Sequence, residues 1–154
     1  MSASNEIDIL IVEDNSADVE LTLHVLKKHK LANKIFVARD GEEALNFIFC
    51  RDKFQERKFD SPPRIVLLDL KLPKVNGREV LKAIREDSRT RAIPVVILTS
   101  SKEERDLIDS YGMGANSYVQ KPLDFDEFRD VIRQFGLYWL LVNIPAPANG
   151  SSLR

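Results

Sequence analysis

Short apolar runs of strand length alternate along the chain with longer segments in which apolar residues recur at helical spacing. The pattern predicts five strands, near residues 8–12, 34–39, 64–69, 94–99 and 117–120. The runs at 64–68 and 94–98 are continuously apolar, which is typical of strands covered by helices on both faces. Strands that alternate with helices indicate βα units around a parallel sheet.

A segment with helical signals follows each predicted strand. In chain order, the helices are expected to begin at Asn15 or Ser16, after Asp40-Gly41, after Asn76-Gly77, at Ser101 and at Asp124. Right-handed crossovers around a first strand near the middle of the sheet give the strand order 2-1-3-4-5. We therefore expect an α/β fold with a doubly wound, five-stranded parallel sheet of the flavodoxin-like kind.

The remaining segments set the domain boundaries. Residues 1–6 form an N-terminal tail, residues 7–135 the domain, and residues 145–154 a tail of disordered composition. Within the domain, residues 51–63 are interpreted as a helix extension followed by a surface loop. Residues 136–144 are too apolar for a solvated surface, so this segment is expected to cover a partner or a second subunit in a homodimer. The interface residues we predict are Leu137, Tyr138, Trp139 and Leu140.

Composition and charge narrow the classes of function. The chain has 154 residues, 44% of them apolar, and a chain of about 150 residues buries roughly 70% of its unfolded surface as one domain. The net charge is −1 and no basic stretch stands out, so nucleic-acid binding is disfavoured. We find neither a signal peptide nor a membrane span and expect a cytoplasmic protein. The single cysteine, Cys50, rules out an internal disulfide.

Reactive side chains stand at the ends of four predicted strands. Glu13 and Asp14 close the first strand, Asp69 the third, Thr99 the fourth and Lys121 the fifth. In an open α/β sheet, ligands bind beyond the carboxyl ends of the strands where the strand order reverses, which brings the three acids together. Carboxylates 4 Å apart repel by roughly 4 kcal/mol per pair at an effective dielectric of 20. A cation is therefore expected between them.

Magnesium is the cation that this set favours, because Mg²⁺ prefers oxygen ligands and retains some waters. The predicted metal ligands are the carboxylates of Glu13, Asp14 and Asp69 and the backbone carbonyl of Lys71. Beside the cation, Asp69 can act as a nucleophile toward a phosphoryl group and form an acyl phosphate. The cation, the Lys121 ammonium and the Thr99 hydroxyl would then hold the phosphoryl oxygens.

These residues, in this order, resemble the receiver domain of two-component response regulators, the CheY-like family. The resemblance covers roughly residues 7–135. Glu13-Asp14 is similar to the acidic pair, the stretch 69–77 to the phosphoacceptor loop, and Lys121-Pro122 to the basic corner, where the family has a cis peptide bond. Thr99 and Tyr118 are similar to the two switch residues.

The resemblance implies that a sensor histidine kinase transfers a phosphoryl group to Asp69 and that Mg²⁺ is required. Phosphorylation would draw Thr99 toward the new oxygens, let Tyr118 turn inward and shift the surface around the last strand. We therefore expect a signalling protein that catalyses only its own phosphorylation and dephosphorylation. Because no effector domain fits after residue 144, it is expected to stand alone and act on an unknown downstream protein.

Three features depart from the common receiver pattern. Glu13 stands where many members have aspartate, the loop before the third strand is longer, and segment 136–144 extends past the usual end. The two extra segments are similar to those of small regulators paired with cyanobacterial phytochromes. The resemblance implies a bacterial phytochrome as the kinase.

Two other functions fit parts of the pattern. A hydrolase of the haloacid dehalogenase type also uses an aspartate, a Thr or Ser, a Lys and Mg²⁺. Its aspartate follows the first strand, with a second aspartate two residues later, whereas Asp69 follows the third strand and position 71 is lysine. A receiver that serves only as an unphosphorylated docking module would not need the complete set of acids, Thr99 and Lys121.

Overall fold

The computed structural model describes residues 7–28, 34–58, 61–70, 72, 74–99, 117–121 and 123–134. Its strands are β1 (Ile9–Val12), β2 (Ile35–Ala38), β3 (Ile65–Asp69), β4 (Val95–Thr99) and β5 (Ser117–Gln120). They form one sheet in the order β2-β1-β3-β4-β5, and every neighbouring pair is parallel. The predicted doubly wound sheet, with the order 2-1-3-4-5, is confirmed.

Four helices lie within the described residues: α1 (Ser16–Lys28), α2 (Gly41–Ile48), α3 (Gly77–Glu86) and α4 (Phe125–Gln134). Each begins at or next to a predicted start. Side-chain caps fix all four starts, because Asn15, Asp40, Asn76 and Asp124 each accept a hydrogen bond from the amide three residues later, and Asn76 and Glu79 form a reciprocal capping box. The helix predicted to open at Ser101 lies outside the described residues, as do residues 1–6 and the segments 136–144 and 145–154.

The two faces of the sheet carry separate hydrophobic cores. Alternate β1 residues point to opposite faces: Ile9 and Ile11 join the core beneath α1 and α4, whereas Leu10 and Val12 join the core beneath α2 and α3. All four side chains are fully buried. Burial on both faces explains why the central strands are continuously apolar in sequence. None of the helices among the described residues has the length and apolarity needed to cross a membrane.

The prediction that a helix extension begins the segment 51–63 is wrong, because α2 ends at Ile48. Backbone φ angles of 56° at Cys50 and 57° at Asp52 break the helical path, and a separate 3₁₀ helix spans Asp52–Phe54. The ring of Phe54 packs edge-on against Phe36 and Phe47, with centroid separations of 5.4 and 5.2 Å. The segment is therefore anchored to the core beneath α2.

Candidate functional site

Three carboxylates meet where β1 and β3 end side by side. Glu13 and Asp14 follow β1, Asp69 is the last residue of β3, and the register pairs Val12 with Leu68. One carboxylate oxygen from each acid lies within 4.8 Å of the others. Glu13 and Asp69 are only 2% and 5% exposed, whereas Asp14 is open to solvent. The structure thus brings the predicted acids together in a cup that opens at Asp14.

Lys121, the residue after β5, reaches into this cup. Its ammonium nitrogen Nζ lies 2.8 Å from Glu13 Oε1 and 3.3 Å from Asp69 Oδ2. The contact with Glu13 is a tight ion pair, although Oε1 accepts no well-aligned hydrogen bond among the described residues. The Lys121 side chain is 19% exposed, so solvent screens these contacts only in part. The structure therefore places Lys121 in contact with two of the predicted acids.

A fourth acid, Asp18, also contacts this lysine. Asp18 stands in the first turn of α1, and Lys121 Nζ donates a hydrogen bond to its Oδ2 at 3.2 Å. Asp18 is not among the site residues predicted from the sequence. An acid in the first turn of a helix already has an ordinary explanation in the helix dipole, and nothing local in the sequence points to Lys121.

Burial and charge shift the ionisation of the cup. Burial raises the pKa of Glu13 from 4.5 to about 7, and the charge of Asp69 adds to the rise, against the contact with Lys121 and a hydrogen bond from the Asn15 amide. Burial by itself would lower the pKa of Lys121, but its contact with Glu13 and the charges of Asp69 and Glu13 outweigh burial and raise it. Lys121 therefore carries a firmly held positive charge.

The donor set fits a hard divalent cation. The Lys121 ammonium contacts three of the carboxylates, and Asp14 lies beside two of these as a fourth acid, so carboxylates outnumber this ammonium. Glu13, Asp14 and Asp69 offer only oxygen ligands, and the exposed side of Asp14 leaves room for water molecules, as Mg²⁺ or Mn²⁺ requires. The predicted carbonyl ligand, Lys71, lies outside the described residues.

Close backbone packing fixes the loop that follows Asp69. Gly77, the first residue of α3, donates its N–H to the Leu70 carbonyl at 3.0 Å. A Cβ atom on Gly77 would come within 2.4 Å of the Asp69 carbonyl oxygen. Only glycine permits this approach without a backbone shift, which explains why the phosphoacceptor-like loop ends in Asn76-Gly77.

A second contact ties the same loop to α2. Lys74, with a φ of 66°, places its ammonium 3.7 Å from Asp40 Oδ2 and 3.4 Å from Glu42 Oε1. At Gly41, a Cβ atom would lie 1.7 Å from the Val75 carbonyl oxygen, so the backbones of loop and helix touch. The loop is thus held between the first turns of α2 and α3.

The structure describes only some of the predicted switch and interface residues. Thr99 closes β4, and its backbone pairs with Gln120 of β5, but its side chain is outside the described part of the structure. Tyr118 is half-buried and packs against the core beneath α2 and α3. Pro122 lies outside the described residues, as do the four predicted interface residues Leu137, Tyr138, Trp139 and Leu140.

Residues 9–133 match the family model of the response regulator receiver domain, which covers most of the chain. The chain belongs to this family. Receiver domains take phosphoryl groups from histidine kinases and bind a divalent metal at an acidic pocket. The CheY-like family predicted from the sequence is confirmed, and a role as a phosphoacceptor in two-component signalling follows from membership.

Two regulatory proteins resemble this chain over almost its whole length. The "Probable methanogenesis regulatory protein FilR2" of Methanothrix harundinacea is 40% identical over 149 residues, which cover 96% of this chain and 94% of FilR2. Response regulator Rcp1 of a Synechocystis species is 37% identical over 140 residues, covering 90% of this chain and 92% of Rcp1.

Solved structures show the same likeness. The bacteriophytochrome response regulator AtBRR has a TM-score of 0.82 at 48% identity, covering 90% of this chain and 99% of AtBRR. The Mn²⁺-bound form of Rcp1 has a TM-score of 0.68 at 34% identity, covering 92% of this chain and 99% of that structure.

Proposed function

We propose that this receiver is a phosphorylation switch in which Asp69 is the phosphoacceptor. The observation that carries the proposal is the convergence of Glu13, Asp14 and Asp69, with Lys121 Nζ 3.3 Å from Asp69 Oδ2, at the carboxyl ends of the strands. Glu13 and Asp69 both contact the Lys121 ammonium. Of these two acids, Asp69 is itself the last residue of a central strand. A carboxylate nucleophile needs this kind of charge compensation in order to accept an anionic group.

The reaction is a transfer between a phosphohistidine of the kinase and the Asp69 carboxylate. A carboxylate oxygen forms a bond to phosphorus while the bond from phosphorus to the imidazole nitrogen breaks, and the imidazole leaves with that electron pair. The Lys121 ammonium, 3.3 Å from Asp69, is placed to donate hydrogen bonds to the phosphoryl oxygens. Positioning and electrostatics supply the catalysis, and no external substrate is turned over.

Magnesium is the metal that we propose. Glu13, Asp14 and Asp69 would hold it, with the Lys71 carbonyl as a further ligand. When bound, the cation neutralises charge on the phosphoryl oxygens. The Mn²⁺ in the solved structure of Rcp1 supports a hard divalent cation in this family.

The output is proposed to be a change of surface near β5. Thr99 at the end of β4 would move toward the phosphoryl group, and Tyr118 on the adjacent strand would turn inward. The altered surface would bind a downstream protein. Later dephosphorylation by the receiver itself would reset the switch.

The proposed kinase is that of a bacterial phytochrome. Support comes from AtBRR, a bacteriophytochrome response regulator 48% identical to this chain. A purified phytochrome kinase, loaded with labelled phosphate under red or far-red light, should pass the label to this receiver faster than kinases of other sensor classes do. Equal transfer from unrelated kinases would remove the phytochrome assignment and leave the phosphoacceptor role intact.

Dimerisation through segment 136–144 remains part of the proposal. Sedimentation at micromolar concentration should show a dimer, and Trp139→Ala or Leu140→Asp should dissociate it. A monomer at all concentrations would contradict this assembly.

The phosphoacceptor itself is tested with acetyl phosphate and Mg²⁺. Intact-protein mass spectrometry should show one acid-labile phosphoryl adduct on the wild type and none on Asp69→Asn. Asp130→Asn, which removes an exposed acid from α4, is the matched control and should be phosphorylated normally. An adduct that persists on Asp69→Asn, or its absence from the wild type, would contradict the proposal.

A further inference from the structure

The Lys121 ammonium is divided among three carboxylates. Its Nζ lies 2.8 Å from Glu13 Oε1, 3.2 Å from Asp18 Oδ2 and 3.3 Å from Asp69 Oδ2. A lysine ammonium has three N–H donors, so three acids are as many as it can serve with one donor each. The proposed phosphoacceptor has the longest of the three contacts. A phosphoryl group on Asp69 must therefore compete for this ammonium.

Asp18 differs from the other two acids in position. It stands outside the set of Glu13, Asp14 and Asp69 that can hold a metal, and its side chain is 37% exposed against 7% for Asp69. Its charge therefore acts on Lys121 from the solvent side of the cup and away from the metal ligands.

The contact between Asp18 and Lys121 belongs to a closed ring of interactions. The Asn15 amide donates to Glu13 Oε2 at 3.1 Å, and Asn15 Oδ1 accepts from the Asp18 amide at 2.9 Å. Lys121 closes the ring by contacting both Glu13 and Asp18. The cap of α1 thus fixes the backbone of Asp18 at a position from which its carboxylate reaches the ammonium.

We propose that Asp18 is a positioning residue that acts through Lys121 and limits how firmly this lysine holds a phosphoryl group on Asp69. The inference rests on the proposed function and deepens it. An acyl phosphate adds anionic oxygens beside Lys121, and the lysine satisfies them by turning a donor away from Asp18. The charge on Asp18 opposes that turn. Removing the charge while keeping the shape of the side chain releases the lysine to the phosphoryl group.

The test is the affinity for beryllofluoride, an anion that binds carboxylates in the geometry of a phosphoryl group, measured by calorimetry with saturating Mg²⁺. Asp18→Asn keeps an oxygen acceptor and loses the charge, and it should bind beryllofluoride about threefold to fivefold more tightly than the wild type, the range of a partly exposed ion pair. Asp18→Glu restores the charge and should return the affinity toward the wild-type value.

Two further variants separate this role from a general charge effect. Glu20→Gln makes the same charge change at an exposed position of α1, about 200° around the helix from Asp18, and should leave the affinity unchanged. In a Lys121→Gln background, Asp18→Asn should have no effect, because the residue through which Asp18 acts is gone.

The outcomes distinguish the two proposals. Equal or weaker binding by Asp18→Asn overturns the inference, and so does tightening that persists in the Lys121→Gln background, since the charge would then act directly. A wild-type protein that binds no beryllofluoride and accepts no phosphoryl group from acetyl phosphate contradicts the proposed function itself.

Discussion

Gly77 lies against the backbone carbonyl of Asp69 so closely that a Cβ atom would come within 2.4 Å of the oxygen. The first turn of α3 and the proposed phosphoacceptor are therefore one packed unit. The Asn76–Glu79 capping box fixes the start of α3. Changes to this turn are expected to reach the reaction through the backbone of Asp69 and need no direct contact with its carboxylate.

Gly77→Ala should impair both stability and phosphorylation. The added methyl group meets backbone atoms that cannot rotate away, and overpacking of this kind costs typically about 1–3 kcal/mol. Urea denaturation should show a lower midpoint, and acetyl phosphate should phosphorylate the variant more slowly. Lys82→Ala, on the exposed side of α3, is the control and should change neither quantity. Normal stability of Gly77→Ala would show that the loop has space to move.

Asp14→Asn should weaken Mg²⁺ binding at least about tenfold, because loss of a ligand charge should cost no less than the loss of an outer-shell partner. Asp14 is exposed, so the substitution should leave the free energy of unfolding of the metal-free protein nearly unchanged. Titration calorimetry measures the affinity, and Asp130→Asn provides the matched loss of a remote acid. Unchanged affinity would exclude Asp14 as a metal ligand.

The stability of the metal-free protein should depend on the ionisation of Glu13. Folding raises the pKa of this group from 4.5 to about 7, so the folded state binds the proton more tightly than the unfolded state does. The resulting contribution to stability is complete below about pH 4.5 and is lost as the pH rises through about 7. Unfolding in EDTA should show this decline.

Two controls accompany that pH series. Glu13→Gln cannot ionise and should remove the decline between pH 4.5 and 7. Saturating Mg²⁺ should reduce it in the wild type, since a bound cation favours the ionised carboxylate. A decline of equal size in Glu13→Gln would assign the effect to another group.

Arg57→Ala should loosen the segment after α2. The guanidinium lies 3.7 Å from the centroid of the Phe47 ring, and it donates to the backbone carbonyls of Phe47 and of Ser61, the latter at 2.9 Å. Loss of these contacts should cost about 1–3 kcal/mol. Urea denaturation and amide exchange of residues 52–58 would measure the effect, with the exposed Lys58→Ala as control. Exchange rates equal to those of the wild type would contradict an anchoring role for Arg57.

The parts of the site that could be predicted from sequence are those set by strand ends. Glu13, Asp14, Asp69 and Lys121 each follow or close an apolar run, and parallel strands bring their carboxyl ends to one edge of the sheet. Sheet order and register then decide which of them meet. Asp40 and Asn76 are cap residues, so the starts of α2 and α3 could also be predicted from the sequence.

The contacts that could not be predicted depend on tertiary placement. Asp18 and Lys121 are 103 residues apart, and an acid in a first helical turn carries no sign of a distant partner. Cys50 and Asp52 adopt positive φ without the glycine that would signal it, so the end of α2 was missed. The packing of Phe54 against Phe36 and Phe47 follows from that turn and has no separate local signal.

The carboxylates of Glu13, Asp14 and Asp69 follow or end β1 and β3, whereas the ammonium follows β5, which is the last of the described strands and an edge of the sheet. A nascent or damaged copy without a docked β5 would hold the acids with no cation from the protein to balance them. Charge compensation at the proposed phosphoacceptor is thus complete only when this strand has docked on the sheet.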